Sequence, residues 1–490
     1  MDVARRNAVE SVGHCTPEIA RAIQLAESLS RPAFLRLHKP LEQLSFFKIL
    51  RYTLSAKKRY LAWADGRDDR SFITLGEITQ AELTGDIRFA RGEYVSSQWS
   101  QQWVEASFVP SEEQRWKPPM AVGGFAFAAR KNPHSGIWND WPDGSLWIPQ
   151  FVFHRWRSQR YAALTIKVLP GETPDDVRTH LDSTHNALNS VIQKSRELEG
   201  ASGNGCKLSD ETSVAEMESQ KNHWCTLVKD AKREIETKSI QKVVLCRIDE
   251  TNLSENESFD QVETLDSLRK SYPKCKVFMV GRSDGSTFLG ATPELFLSKR
   301  GKELKTVALA GTIRRGIDKA EDDLLATTLL GNKKDRHEHQ VVADSIEEAL
   351  APLSLMFSKA SEPSILPLKN VQHLETKIQA TLHRARSLME LLARLHPTPA
   401  VGGAPKQDAL RFIESNESAD RGWYAGLVGW IDGAGDGVFG VGIRSALIRG
   451  NRAWAFAGAG IVAESDPELE WNETAMKLLA VKSNLKVRDD

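Results

Sequence analysis

VFGVGIRSALIRGNRAWAFAGAGIV, Val438 to Val462, is the stretch from which the fold is read. Valine, isoleucine and aromatic residues recur on both sides of Gly450-Asn451, a dipeptide suited to a tight turn, so the segment predicts two antiparallel strands joined as a hairpin. Working outward, VVLCR (Val243 to Arg247), CKVFMVG, STFLGATPELFLSKRG and LKTVALAGT supply further strands, separated by glycines. Lys229 to Lys238, DDLLATTLL, HEHQVVADSIEEAL and IQATLHRARSLMELLARL read as helices. Strand follows strand through hairpins, without the strand and helix alternation of a doubly wound sheet. The fold class expected is therefore a mixed α/β domain rich in antiparallel hairpins.

The first 200 residues carry weaker signals. SFITL (Ser71 to Leu75), GGFAFAA (Gly123 to Ala129) and LWIPQFVFHR (Leu146 to Arg155) are strand-like, and the 13 tryptophans of the chain read first as packing groups. GASGNGCKLSDETS, Gly200 to Ser213, is aperiodic and rich in glycine and serine, so residues 201–225 are expected to be a loop or linker region. This divides the chain into a variable N-terminal part, 1–200, and a catalytic region, 226–490.

Charge excludes little and composition somewhat more. With 65 basic and 65 acidic residues, nothing marks a protein built to hold nucleic acid or an anionic membrane. The five cysteines show no CxxC spacing, and no apolar run is long enough for a signal peptide core or a bilayer span. A soluble cytoplasmic protein without nucleic-acid or membrane partners is the expectation.

Within KKDRHEHQVV, Lys333 to Val342, Asp335 and Glu338 stand three apart and share a helix face. His337 and His339 stand two apart and point away from each other, which disfavours zinc. A second acidic helix is signalled by ESDPELEWNETAMKLLAVK: Ser465 and Glu468 form a capping-box pattern, Pro467 suits the first turn, and Glu470, Glu473 and Lys477 line one stripe. Either these are two solvated charged faces, or two pairs of oxygen ligands that suit Mg²⁺ and an oxygen-rich substrate. Lys242 precedes VVLCR as a solvated edge residue or as an oriented amine. Glu294 interrupts the apolar ATPELFL, where burial would raise its pKa toward that of a general acid. Ala310-Gly311-Thr312 and Gly458 to Ile461 could bring backbone N–H groups close to a carboxylate.

SIQKVVLCR, ATPELFL, ALAGTIRRG, KKDRHEHQVV, LHPTPAVGG, GIRSALI and FAGAGIVAESDPELEWNET, taken in order over roughly the last 260 residues, resemble the motifs of the chorismate-utilising enzymes, and among them the isochorismate synthases. The resemblance implies that family's fold, with large mixed or antiparallel sheets packed face to face and helices outside. It implies one Mg²⁺ site, with Glu338 and Glu473 as ligands and Asp335 and Glu470 holding metal-bound waters. Lys242 would be the general base for water attack at C2 of chorismate, and Glu294 the general acid for the departing C4 hydroxyl. Arg444 and Lys477 would receive substrate carboxylates, His373 would line the pocket near the ring, and Gly458 and Gly460 would permit close backbone approach. Ala310 stands where aminodeoxychorismate synthases carry a lysine nucleophile, and Ala400 where anthranilate and salicylate synthases have threonine. Val401 and Gly402 replace the commoner Leu and Ser of that pocket. The alternative activity is that of a salicylate synthase, which would go on to eliminate pyruvate. No amidotransferase partner is required, and a monomer is expected.

Overall fold

The computed structural model describes residues 16–41, 45–66, 70–106, 117–130, 136–157, 159–198, 214–237 and 239–489. The expected loop Gly200 to Ser213 lies outside them. A helix occupies Val214–Glu236, so the loop region ends well before residue 225.

The strands assemble into two large sheets. In the twelve-stranded sheet, Lys242–Asn252 pairs with Arg452–Ile461, followed by Ser445–Arg449, Thr287–Thr292, Lys276–Gly281 and Tyr60–Asp65, and then by strands from the first 170 residues. The ten-stranded sheet contains Val371–Leu382, Glu303–Arg314, Leu295–Arg300, Gly437–Val441, Leu427–Ile431 and Ala121–Phe125 among its members. Both sheets thus draw strands from both halves of the chain. Among the described residues pairing is antiparallel except between Ala33–Pro40 and Trp103–Ala106. Arg449 faces Arg452, so Gly450 and Asn451 form the two-residue turn that the sequence signals, with Gly450 at φ 61°.

Strand alternation explains the layering. On Tyr60–Asp65, Leu61 and Trp63 join Phe278 and Phe288 against Phe125, Phe296 and Phe439 of the other sheet, forming the inter-sheet core. Tyr60 and Ala62 point the opposite way, into a second core with Ile49, Leu181, Leu188 and Leu265 of the covering helices. The sheets therefore pack face to face, with helices outside. Trp138, Trp141, Trp147 and Trp423 are fully buried, and the Trp141 and Trp423 indoles donate to Ser286 Oγ and the Pro142 carbonyl. No helix among the described residues is long and apolar enough to cross a membrane.

Two local expectations are corrected. Ile378 to Leu382 is the end of a strand, and only Leu388–Leu395 of the expected helix is helical. In that strand Ile378, Ala380 and Leu382 are buried alternately with Gln379 and Thr381, a period of two, and Ser387 caps the helix that follows. At the late acidic helix, Pro467–Lys482, the cap is Asp466 and not Ser465. Asp466 accepts from the Glu468 and Leu469 N–H groups, while Ser465 Oγ accepts from the Val462 N–H.

Candidate active site

Four elements bring the chemistry together. The Lys242 strand lies beside the strand Arg452–Ile461, on which the helix Pro467–Lys482 packs, and the helix Lys333–Leu350, packed on Glu303–Arg314, carries Glu338 to Lys242. The strand Glu303–Arg314 supplies the opposite wall.

Lys242 has 0% exposure, because Gly403–Ala404 pairs at what would otherwise be a free strand edge. The solvated-edge reading is thereby replaced. Its Nζ stands 3.0 Å from Glu338 Oε1, as an ion pair rather than a well-aligned hydrogen bond. Gly460 makes this contact possible: a Cβ there would lie 2.1 Å from Glu338 Oε1 and 2.9 Å from Lys242 Cε. Burial would raise the Glu338 carboxylate, but Lys242 and Lys334 together hold it below its ordinary range.

The other three carboxylates crowd the same region. Lys334 Nζ donates to Glu470 Oε1 at 2.6 Å, and Lys477 Nζ donates to Glu473 Oε1 at 2.6 Å and to the Gly458 carbonyl at 2.7 Å. Burial, with Glu473 adding repulsion, pushes Glu470 up to about 7. Burial likewise pushes Asp335 up to about 6, against Lys334 and with help from Glu338 and Glu473. Four carboxylates on two helices therefore share a field that three lysines offset only in part. Among the described residues no three acidic, histidine or cysteine side chains converge closely enough to hold a metal. The donor set is nonetheless all oxygen and in excess of negative charge, which suits a hard divalent cation. Of the two ligands that the family resemblance implies, Glu338 is paired here with Lys242 and Glu473 with Lys477.

Glu294 sits where the chain passes from one sheet to the other, between Thr287–Thr292 and Leu295–Arg300. It is 3% exposed, its N–H donates to Thr292 Oγ1, and its carbonyl accepts from the Val441 N–H. Burial pushes its carboxyl up to about 8 against the opposing charge of Lys242, so it holds a proton at neutral pH.

The far wall is polar and sets a neutral histidine against a charged arginine. A bulge between Ala310 and Thr312 puts Gly311 at φ 79°, a conformation that favours glycine, and a Cβ there would press on Asp335 and Leu374 at 3.2 Å. His373 Nε2 accepts from Arg444 Nη2 at 2.7 Å. Since a guanidinium only donates, the histidine proton lies on Nδ1, facing the Gly311 carbonyl at 3.2 Å and Thr312 Oγ1 at 3.1 Å. Burial and the Arg444 charge push His373 well below its ordinary value, which keeps it neutral. Arg444 itself adopts φ 51°, in the sparsely populated left-handed region, and is nearly buried.

Glu294, Glu338, Ala310, Gly311, Thr312 and His373 line one cleft. Ala400, Val401, Arg444, Gly458, Gly460 and Lys477 complete it. Lys242 lies behind Glu338, and Asp335, Glu470 and Glu473 stand beyond the lining. Sequence reasoning missed two residues. Lys334 is four before Glu338 on the same helix face, a spacing that could have shown it. Tyr424, in WYAGLVGW, lines the cleft and stacks on Phe456 at 5.1 Å, and no local signal separates it from a packing tyrosine.

A sequence profile described as chorismate binding enzyme matches residues 20–486. The salicylate biosynthesis isochorismate synthase of Pseudomonas aeruginosa is 34% identical over 466 residues, covering 95% of this chain and 93% of the relative. The isochorismate synthase MenF of Bacillus subtilis is 28% identical over 478 residues, covering 96% and 97%. MenF, the menaquinone-specific isochorismate synthase from Escherichia coli, superposes with a TM-score of 0.72 at 24% identity, over 96% of this chain and 100% of that structure, which shows a shared fold. A profile match over nearly the whole length, on a fold that gathers buried carboxylates, lysines and an arginine into one cleft, places the chain in the chorismate binding enzyme family.

Proposed function

We propose that this protein is an isochorismate synthase, which converts chorismate reversibly into isochorismate by adding water at C2 and expelling the C4 hydroxyl. The observation that carries the reading is the pair Lys242 and Glu294: a buried amine and a buried carboxyl that is protonated at neutral pH, near one cleft. Water needs a base to become a competent nucleophile, and hydroxide needs a proton to leave. Lys242 takes the proton of the attacking water, and Glu294 gives its proton to the departing hydroxyl. In the next turnover the roles are restored through solvent, or reversed for the back reaction.

Substrate binding uses the rest of the cleft. Arg444, held by His373, offers its remaining donors to a carboxylate as a planar fork. The neutral His373 adds no second positive charge beside it. Lys477 adds an ammonium to the lining, and Tyr424 adds a phenol.

Glu338 and Glu473 would hold Mg²⁺, with Asp335 and Glu470 in support. Bound there, the ion would neutralise and orient a substrate carboxylate. Glu338 is the present charge partner of Lys242; with the ion in that place, the Lys242 ammonium would lose its partner and would have to release its proton to solvent before its lone pair could take one from the attacking water. Ala310 leaves no amine nucleophile at its position, and Ala400 contributes no hydroxyl to the cleft, which supports water as nucleophile and release without elimination.

The experiment is early-time chromatography of chorismate incubated with the protein and Mg²⁺, without ammonia or an added lyase. Isochorismate is expected first, and the same ratio should be approached from isochorismate alone. A chelator should abolish turnover, and added Mg²⁺ should restore it. Stoichiometric early salicylate and pyruvate would replace the reading with salicylate synthase.

A further inference from the structure

A second cavity, of about 400 Å³, opens over the free edge of the Lys242 strand beyond residue 244. Its walls come from the helix Val214–Glu236, the outer part of the strand pair, the turn at Glu417 to Ala419, and the helix Pro467–Lys482. None of its residues belongs to the catalytic cleft.

Three indoles face this space: Trp224, Trp454 and Trp471. Trp454 Nε1 is engaged by Glu250 at 2.9 Å, whereas the buried Trp224 Nε1 has no hydrogen-bond partner among the described residues. Arg247 lies with its guanidinium 3.3 Å from the centre of the Trp471 ring. Among the described residues only its Nη1 reaches an acceptor, Thr474 Oγ1 at 3.4 Å. Nε is buried without a partner, and Nε with Nη2 forms the edge of the guanidinium that pairs with a carboxylate in a fork. Of the nearby acids, Asp249 acts on Arg247 by its charge while pairing with Lys482 at 2.7 Å, and Glu250 and Glu417, which also line the cavity, are engaged by Arg452 with Trp454 and by Arg421.

An unpaired buried N–H and a half-paired guanidinium are unfavourable in isolation and favourable once an anion with acceptor oxygens is present. Arg247 lies over one face of Trp471 and Arg452 over one face of Trp454, so the surface left to a ligand is that of flat indoles and stacked guanidiniums, which favours a planar ring. The volume is at the lower end of small-molecule sites, about 300 to 1,000 Å³. Cys246 in the wall is no covalent trap, since burial raises its thiol and keeps it protonated.

We propose that this cavity is a second small-molecule site that takes a planar aromatic carboxylate, with the ring against the tryptophans and the carboxylate on Arg247. The proposal rests on the cavity alone and not on the catalytic reading. A ligand seated here touches Trp471, which stands on the same helix as Glu470 and Glu473.

The test is titration of the 490-residue protein with 1-naphthoate, followed by calorimetry and tryptophan fluorescence. 1-Naphthamide serves as the uncharged ring and cyclohexanecarboxylate as the non-planar acid. Wild type should bind 1-naphthoate at least about ten-fold more tightly than either control, since the charged fork and the stacking are both required. Arg247→Gln should lose about ten-fold or more in affinity while keeping its melting transition, and Arg444→Gln in the catalytic cleft should keep the binding. Trp224→Phe, which removes the N–H and keeps an aromatic ring, should weaken binding several-fold, and it decides the matter should Arg247→Gln fail to fold. Undiminished binding in Arg247→Gln or in Trp224→Phe, binding that only Arg444→Gln removes, or no binding of 1-naphthoate to wild type would each overturn the proposal.

Discussion

Replacing Glu294 by glutamine separates the chemistry of this carboxyl from its burial. Burial pushes it from 4.5 to about 8, with Lys242 pulling the other way. In the folded protein it keeps a proton that the unfolded chain releases near pH 4.5, so stability falls as pH rises through the window from about 4.5 to about 8 and is level above it. At about 1.4 kcal/mol per pH unit, the burden is about 1 kcal/mol at pH 5, about 3 at pH 7 and up to about 5 at pH 9. Glutamine has nearly the same shape and no charge to bury. Glu294→Gln is therefore expected to resist urea better than wild type by a margin that grows from pH 5 to pH 9. Its turnover of chorismate should meanwhile drop by at least about 100-fold, because the proton donor is gone. Wild-type kcat should decline as pH rises through about 8, where Glu294 gives up its proton. A stability difference that is the same at every pH, or a variant that retains wild-type turnover, would refute the reasoning.

Lys242→Ala should lose at least about 100-fold in kcat with chorismate binding retained, as measured by single-turnover and equilibrium titration; a wild-type rate in the folded variant removes lysine from the mechanism. Gly460→Ala places a Cβ 2.1 Å from Glu338 Oε1, so both that carboxylate and Lys242 must move. Calorimetric Mg²⁺ affinity and turnover should both fall by ten-fold or more, on the order of one lost charged contact, with an unchanged circular dichroism spectrum. Unaltered Mg²⁺ affinity would show that Glu338 is not a ligand. Arg444→Lys keeps the charge but loses the fork and the His373 contact, so KM for chorismate should rise by about ten-fold or more with a smaller effect on kcat. An unchanged KM would place the substrate carboxylate elsewhere.

What could be read from the sequence was whatever a window of ten or so residues contains. The two-residue turn at Gly450-Asn451 was legible because both flanking strands and their turn lie in one stretch, and strand periodicity is local. The acidic stripes of Asp335 with Glu338 and of Glu470 with Glu473 were legible for the same reason, since helical spacing puts them on one face whatever packs nearby. The motifs that carry the family resemblance are likewise short runs. Where two periods compete within one run the reading failed: Ile378 to Leu382 has residues that fit a helix, and its pairing with Glu303–Arg314 decided for the strand.

The site's state depends on contacts between residues far apart in the chain, which no local pattern reports. Lys242 meets Glu338 across 96 positions, and Lys334 meets Glu470 across 136. Each meeting requires the Lys242 strand, its neighbour Arg452–Ile461 and the two acidic helices to converge, an outcome of sheet order and helix packing. A lysine before an apolar strand is ordinarily solvated. It is buried here because Gly403–Ala404 covers that edge and Gly460 leaves room for the amine and the carboxylate together. Residue types and spacings thus determined which groups were present, and the tertiary structure decided which charges face one another and which carboxyls are forced to keep their protons, because burial and distance, and not composition, set the electrostatic energy of each group.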